Sequence, residues 1–268
     1  MSEPVRQSSV RRQIAGVMRR DWDARARKDA FFYIASWRSD WDEESFFESG
    51  EQDYRKFVEP VLLQAGFEPA GKTMLEVGCG TGRMTRSFAR RFETVWAFDL
   101  SPEMQRRGQA LLGDFENVRW VLGDGTSLGA IEARSMDFAF SYLVLQHLPT
   151  QQLVLDAIRE MLRVLKPGGL FLFQFNSAQR PTMNWKGRLI WGTVDLLWAL
   201  GLKRASHSTA SWFHLDPEMA GKSWRGAAVE IQPVLQTLRS AGAPHVQVTG
   251  EGTPMAWCWG TKRGDEGR

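Results

Sequence analysis

Cysteine is scarce: Cys79 and Cys258 are the only two in 268 residues. Two thiols without paired spacing supply neither a disulfide framework nor a zinc site, so no metal is expected and a reducing, cytoplasmic setting fits best. An excess of charge of one sign is also missing. Thirty-four Lys and Arg against 31 Asp and Glu leave a net charge of +3, too mild a bias for a dedicated nucleic-acid binder. The longest apolar stretch, Leu189 to Leu202, is interrupted by Asp195 and falls short of the ~20 residues a membrane-spanning helix needs. Gln13 to Arg20, after the tandem Arg11 and Arg12, lacks the apolar run of an export signal. No internal repeat or low-complexity tract is visible. What remains is a chain with 43% hydrophobic and 12% aromatic residues, enough to build one enlarged globular domain.

The pattern of apolar residues divides this chain. Val10, Ile14, Val17 and Met18 describe one helix face, with arginines filling the rest. A second helix is expected from about Asp42 to Ala65, ending at Gly66. Residues 1–70 are therefore read as a helical extension or cover, and 71–268 as the main domain. Between Thr73 and Phe175, short apolar runs alternate with helical stretches, which demands crossover connections and a mostly parallel sheet. Strands are expected at Thr73 to Val77, Thr94 to Phe98, Val118 to Leu122, Met136 to Tyr142 and Gly169 to Phe175. Helices are expected at Arg83 to Phe92, Pro102 to Leu112, around Ala130, and Thr150 to Leu165, the last stopped by Lys166-Pro167-Gly168-Gly169. An insertion, residues 176–225, follows the fifth strand. A helix, Val229 to Ala241, and two β-like runs, His245 to Thr249 and Pro254 to Lys262, complete the pattern.

The segment that carries chemistry is Leu75-Glu76-Val77-Gly78-Cys79-Gly80-Thr81-Gly82-Arg83, placed after an apolar run and before a helix. Glycines in the first strand-to-helix turn let the backbone approach a ligand at the carboxyl end of a parallel sheet. The dinucleotide fingerprint G-x-G-x-x-G would need glycine at position 83, where Arg stands. A carboxylate beside the turn, Glu76, suits a cationic ligand better than a pyrophosphate.

This segment resembles the first motif of class I S-adenosylmethionine-dependent methyltransferases, an acidic residue two positions before G-x-G-x-G. The resemblance implies an α/β fold: a doubly wound, Rossmann-like, mostly parallel seven-stranded sheet with one antiparallel edge, here with an N-terminal helical extension and a helical insertion after the fifth strand. It implies that S-adenosylmethionine is the cofactor and S-adenosylhomocysteine the product. It further implies that the turn residues Gly78, Cys79, Gly80 and Gly82 meet the methionyl part and that Glu76 helps hold its ammonium group. Asp99, closing the second strand, stands where a carboxylate reaches ribose hydroxyls; its alternative role is to cap the next helix, although Ser101 before Pro102 is the better cap. Leu100 and Met104 would flank the adenine. Asp124-Gly125 resembles the site that meets the adenine amino group, or it is an ordinary Asp-Gly turn. Ser141 and Tyr142 stand at the exit of the fourth strand, in a segment that resembles small-molecule and lipid methyltransferases.

In-line methyl transfer asks the protein to hold nucleophile and methyl carbon together and to exclude water. Where the acceptor must lose a proton, His147 is the candidate base; its alternative role is to order its own loop. Tyr33, His207, His214 and Asp216 rank below it. Ser141-Tyr142-Leu143-Val144 departs from the Asp/Asn-Pro-Pro-aromatic sequence of amino-directed DNA methyltransferases. No cysteine stands there for attack on cytosine, and Ser141 to Pro149 lacks the paired glutamates of protein-arginine enzymes. A small-molecule or lipid-like acceptor survives, with no nucleic-acid partner. In the insertion, Leu189 to Leu200 is apolar on nearly every helix face, so a buried packing helix, a lid over an apolar substrate and peripheral membrane contact all stay open. The basic opening segment, including Arg11, Arg12, Arg19 and Arg20, is either a solvated face or an attractor of anionic surfaces. Two rival functions are a cofactor-binding regulatory module without turnover and a nicotinamide-dependent oxidoreductase, the latter disfavoured by the glycine spacing. The oligomeric state cannot be read from the sequence.

Overall fold

The structure, a computed structural model, describes residues 3–125, 127–178, 185–200, 202–213 and 226–264. Its centre is a seven-stranded sheet of β1 (Thr73–Val77), β2 (Thr94–Asp99), β3 (Val118–Leu122), β4 (Met136–Ser141), β5 (Leu165–Phe175), β6 (Val246–Thr249) and β7 (Ala256–Thr261). The strand order is β3-β2-β1-β4-β5-β7-β6. β1 to β5 run parallel, and β7 is antiparallel to both its neighbours. The antiparallel strand therefore lies one place in from the edge, and β6 forms that edge. The chain reverses order after β1, so the carboxyl ends of β1, β2 and β4 surround the crevice where ligands bind in such sheets.

Alternating side chains feed the two faces. In β5, Phe171, Phe173 and Phe175 enter one core with α6 (Gln151–Val164) and α9 (Ile231–Ser240), while Leu170 and Leu172 enter the other. The second core stacks Phe92 on Phe138, with Phe88 edge-on to Phe140. Each such ring contributes about 1.5–3 kcal/mol through burial.

Local chemistry sets the helix boundaries. α1 (Glu3–Ile34) breaks at Asp29 (φ −164°, ψ 93°), where the Asp29 carboxylate accepts the Phe32 N–H and starts a new turn. The stretch expected as one helix from Asp42 is helical throughout: α2 (Glu43–Asp53), a π-helical segment (Tyr54–Val58) and α3 (Glu59–Ala65). The widened turn directly precedes Pro60, which has no N–H to donate and whose ring would crowd the carbonyl of Lys56 in a regular helix. α4 is only Thr85–Ala89, shorter than expected, because residues 79–84 remain in the glycine turn. Ser101 caps α5 (Pro102–Leu111), accepting the Met104 N–H at 3.1 Å. No helix forms around Ala130, and β5 starts early because Leu165 already pairs with Met136.

After β5, α7 (Trp185–Ala199) and α8 (Lys203–Trp212) form a helical hairpin around Val194, Ala210 and Trp191. A wholly buried α7 is not what the structure gives: Leu189 and Leu196 are exposed, as are Leu200 and Leu202 beyond the helix. Among the described residues, no helix is long and apolar enough to cross a membrane.

Candidate active site

The site begins with backbone geometry at the ends of β1 and β2. Gly78 and Cys79 both donate N–H groups to the Phe98 carbonyl, at 2.7 and 3.1 Å. Gly78 and Gly80 have φ of +78° and +56°, a region open to glycine at little cost. A Cβ on Gly78 would stand 2.2 Å from Val144 Cγ2, and one on Gly80 would stand 2.8 Å from Ile34 Cδ1. The missing side chains leave the turn open toward a cavity of about 420 Å³, within the usual range for small-ligand sites.

Two carboxylates line this cavity. Glu76 is 5% exposed. Burial drives its pKa from 4.5 to about 8, although the Thr85 hydroxyl, which donates to Oε2 at 2.6 Å, and the nearby Arg83 charge oppose the rise. Asp99 is also raised by burial, against hydrogen bonds donated by the Ser101 and Gly80 N–H groups at 2.8 and 2.9 Å. Those bonds give Asp99 a structural role beside any ligand role: it holds the glycine turn against the end of β2. Each of its oxygens has one such donor and can accept a second.

Of the other residues singled out from the sequence, Gly78, Cys79, Gly80, Leu100, Met104, Tyr142 and His147 line the same cavity. Gly125 lines a smaller apolar one of about 90 Å³ that shares Met18, Gly78, Asp99, Leu100, Val144 and Leu148 with the first. Gly82, Asp124 and Ser141 are not brought to either wall. Gly82 turns toward Leu112, Asp124 is exposed and accepts the Ser127 N–H at 3.0 Å, and the buried Ser141 hydroxyl donates to the Val77 carbonyl. Tyr33 does reach the cavity. The side chain of His207, and all of His214 and Asp216, lie outside the described residues.

The loop after β4 supplies the wall facing the turn. Leu143 has φ +58°, and its N–H donates to Gln174 Oε1; Gln174 Nε2 in turn donates to Gln146 Oε1. His147 Nε2 lies 3.3 Å from Gln146 Nε2, and the ring meets Trp22 edge-on at 5.2 Å. The roof is the N-terminal segment, with Met18, Trp22, Tyr33, Ile34, Ser36 and Trp37. It is anchored by Arg11 to Asp156, by Arg19 to the Gly123 carbonyl, and by Asp23, which accepts from the Ser101 hydroxyl and the Glu103 N–H.

The sequence marks the N-terminal segment as a cover, with Trp22 and Phe31-Phe32-Tyr33 aromatic enough to close a pocket mouth, but nothing in its spacing says that Met18, Ile34, Ser36 and Trp37 meet the cavity as well. Arg83 goes unmarked too. In the sequence it stands where a dinucleotide site has glycine, yet in the fold it lines the cavity at 3% exposure.

An aminoacyl sulfonium nucleoside fits these residues. The lining offers such a ligand a buried carboxyl at Glu76 for a cationic end, a second carboxyl at Asp99 for hydroxyls, and apolar walls at Leu100, Met104 and the adjoining cavity for a ring system.

Residues 75–173 match the family model described as a methyltransferase domain. The chain is 37% identical over 127 residues to a malonyl-[acyl-carrier protein] O-methyltransferase of Serratia marcescens, covering 44% of this chain and 43% of that protein. It is 36% identical over 134 residues to a ubiquinone biosynthesis O-methyltransferase of Xanthomonas axonopodis pv. citri, covering 47% and 54%. The chain thus spans about half the length of the curated relatives it matches. In fold it is similar to the crystal structure of magnesium protoporphyrin IX methyltransferase from Synechocystis PCC 6803 with bound S-adenosylhomocysteine: TM-score 0.57, 15% identity, covering 92% of this chain and 99% of that one. The strand order and these likenesses converge on one statement: residues 75–173 are similar to a methyltransferase domain, and they sit in a fold like that of the Synechocystis enzyme.

Proposed function

We propose that this protein transfers a methyl group from S-adenosylmethionine to a small, hydrophobic acceptor. The observation that carries the reading is the meeting of Glu76, Asp99 and the Gly78-Cys79-Gly80 turn on one cavity whose remaining wall is largely aromatic and apolar. When bound, the cofactor supplies an electrophilic methyl carbon on a sulfonium. Glu76 holds the ammonium end, Asp99 accepts from the ribose hydroxyls, and Leu100, Met104 and the cavity around Leu128 take the adenine. Trp22, Trp37, Tyr142 and Met255 bound the space left for the acceptor and keep water from it.

His147 is the group placed to take a proton at its imidazole from an acceptor hydroxyl or activated carbon. Gln174, through Gln146 and Leu143, positions the loop that carries it. The relatives' names point to a malonyl group borne on an acyl-carrier protein and to ubiquinone biosynthesis, and the apolar lining favours an acceptor of lipid-like character. The two cysteines are buried and free, in keeping with a reducing cytoplasm.

The test is to incubate the protein with methyl-labelled cofactor and fractionated cell extract. The reading expects label in an organic-extractable small-molecule fraction. Cofactor binding without S-adenosylhomocysteine production in any fraction would favour a regulatory module instead.

A further inference from the structure

Arg83 is a buried cation whose hydrogen-bonding capacity the protein leaves incompletely used. Its Nη1 reaches Asp53 Oδ2 at 2.7 Å and the Ser49 hydroxyl at 3.3 Å. Its guanidinium carbon lies 5.2 Å from the Trp37 ring centroid and 5.8 Å from that of Tyr142. Among the described residues no acceptor meets Nε or Nη2. A guanidinium donates five N–H groups in a fixed fork suited to carboxylates, and a buried one with idle donors is costly unless a ligand completes it. The small exposed part of Arg83 opens on the cavity that Glu76 also lines.

Glu76 and Arg83 are not bonded to each other. Glu76 takes its hydrogen bond from Thr85, and Arg83 spends one nitrogen on Asp53 and Ser49. A buried carboxyl and a buried guanidinium, held by separate partners on one cavity wall, describe a receptor for a zwitterion whose ammonium would draw the proton off the carboxyl. The aromatic rings of Trp37 and Tyr142 beside the guanidinium hold its plane and favour a cation there.

We propose that Arg83 receives the α-carboxylate of the cofactor's amino-acid end while Glu76 receives its ammonium. This rests on the reading of the cavity as a site for S-adenosylmethionine and assigns the group that recognises the far end of that ligand.

Three probes separate the assignment from the reading: S-adenosylhomocysteine, its decarboxylated counterpart S-adenosyl-3-thiopropylamine, and 5′-methylthioadenosine, which lacks the amino-acid tail. Calorimetry on the wild-type chain should show S-adenosylhomocysteine binding at least tenfold tighter than the decarboxylated compound. Arg83→Met should lose that preference while binding the decarboxylated compound and methylthioadenosine within about threefold of wild type. Arg83→Lys should recover part of it, since charge returns without the fork. Should Arg83→Met not fold, Arg83→Lys carries the comparison, with a reduced preference expected and an undiminished one overturning the assignment. Equal wild-type affinity with and without the carboxylate overturns the assignment and leaves the cofactor reading intact, and so does an Arg83→Met chain that still discriminates. A folded wild-type chain that binds none of the three overturns the cofactor reading itself.

Discussion

Glu76→Gln separates the price of burying this carboxyl from its use. Folding moves the Glu76 pKa from 4.5 to about 8, chiefly through burial. Between those two values the folded chain holds a proton that the unfolded chain has lost, so this group's contribution to stability falls as pH rises through the window and levels off above it. The full effect is about 5 kcal/mol in order of magnitude, and about 4 of it falls between pH 5 and pH 9. Glutamine keeps an oxygen for the Thr85 hydroxyl and has nothing to titrate. Urea unfolding of the ligand-free protein at pH 5, 7 and 9 should therefore show the wild type losing several kcal/mol relative to Glu76→Gln, the two being most alike at pH 5. A second reading comes from ligand binding. Near pH 7 the free carboxyl is mostly protonated, so pairing it with an ammonium should release a large part of one proton. Titration of S-adenosylhomocysteine in buffers of different ionisation enthalpy measures that release, which Glu76→Gln should abolish. Parallel stability profiles for the two proteins, together with no proton release in the wild type, would refute the assignment of an electrostatically strained Glu76.

Gly78→Ala should destabilise the fold by about 2–4 kcal/mol, from a positive φ and a Cβ driven into Val144. In a Val144→Ala background part of that loss should return, as read by the denaturation midpoint; an unchanged loss would remove the close approach as its cause. Asp99→Ala should weaken binding of S-adenosylhomocysteine by more than tenfold. It should also lower the Tm of the free protein by about 5–10 °C, because the Gly80 and Ser101 N–H groups lose their buried acceptor. An unchanged Tm would show that the turn holds without it.

The parallel core was legible because strand residues obey a period of two and the strand ends are marked by chemistry that has few substitutes. β1 and β3 fall on the expected residues, and Ser101-Pro102 opens α5 as a serine cap before proline should. The Glu76, Asp99 and glycine-turn cluster followed from that register, since the ends of the paired parallel strands β1 and β2 must lie side by side. The Asp124 carboxylate belongs to the same pattern on paper, yet its Asp-Gly turn faces outward and satisfies itself through Ser127. Composition could not distinguish these two outcomes. The break in α1 at Asp29 and the placing of Trp22 and Trp37 over the cavity depend on packing between distant segments, to which local periodicity is blind. Arg83 shows the same limit: its distance in sequence from Asp53 and Trp37 hides a contact that the fold makes short. The α7–α8 hairpin reads as a covered element by hydropathy, but folding back on α8 buries little more than Val194 and part of Trp191 on the described α7 side.

The central claim, that one cavity at the ends of β1, β2 and β4 holds an aminoacyl sulfonium nucleoside, is tested most directly by competition at equilibrium. Labelled S-adenosylmethionine bound to the folded chain should be displaced by S-adenosylhomocysteine at one site per chain and left in place by NAD. Absence of binding on material with an intact unfolding transition, or displacement by the dinucleotide, would contradict the account.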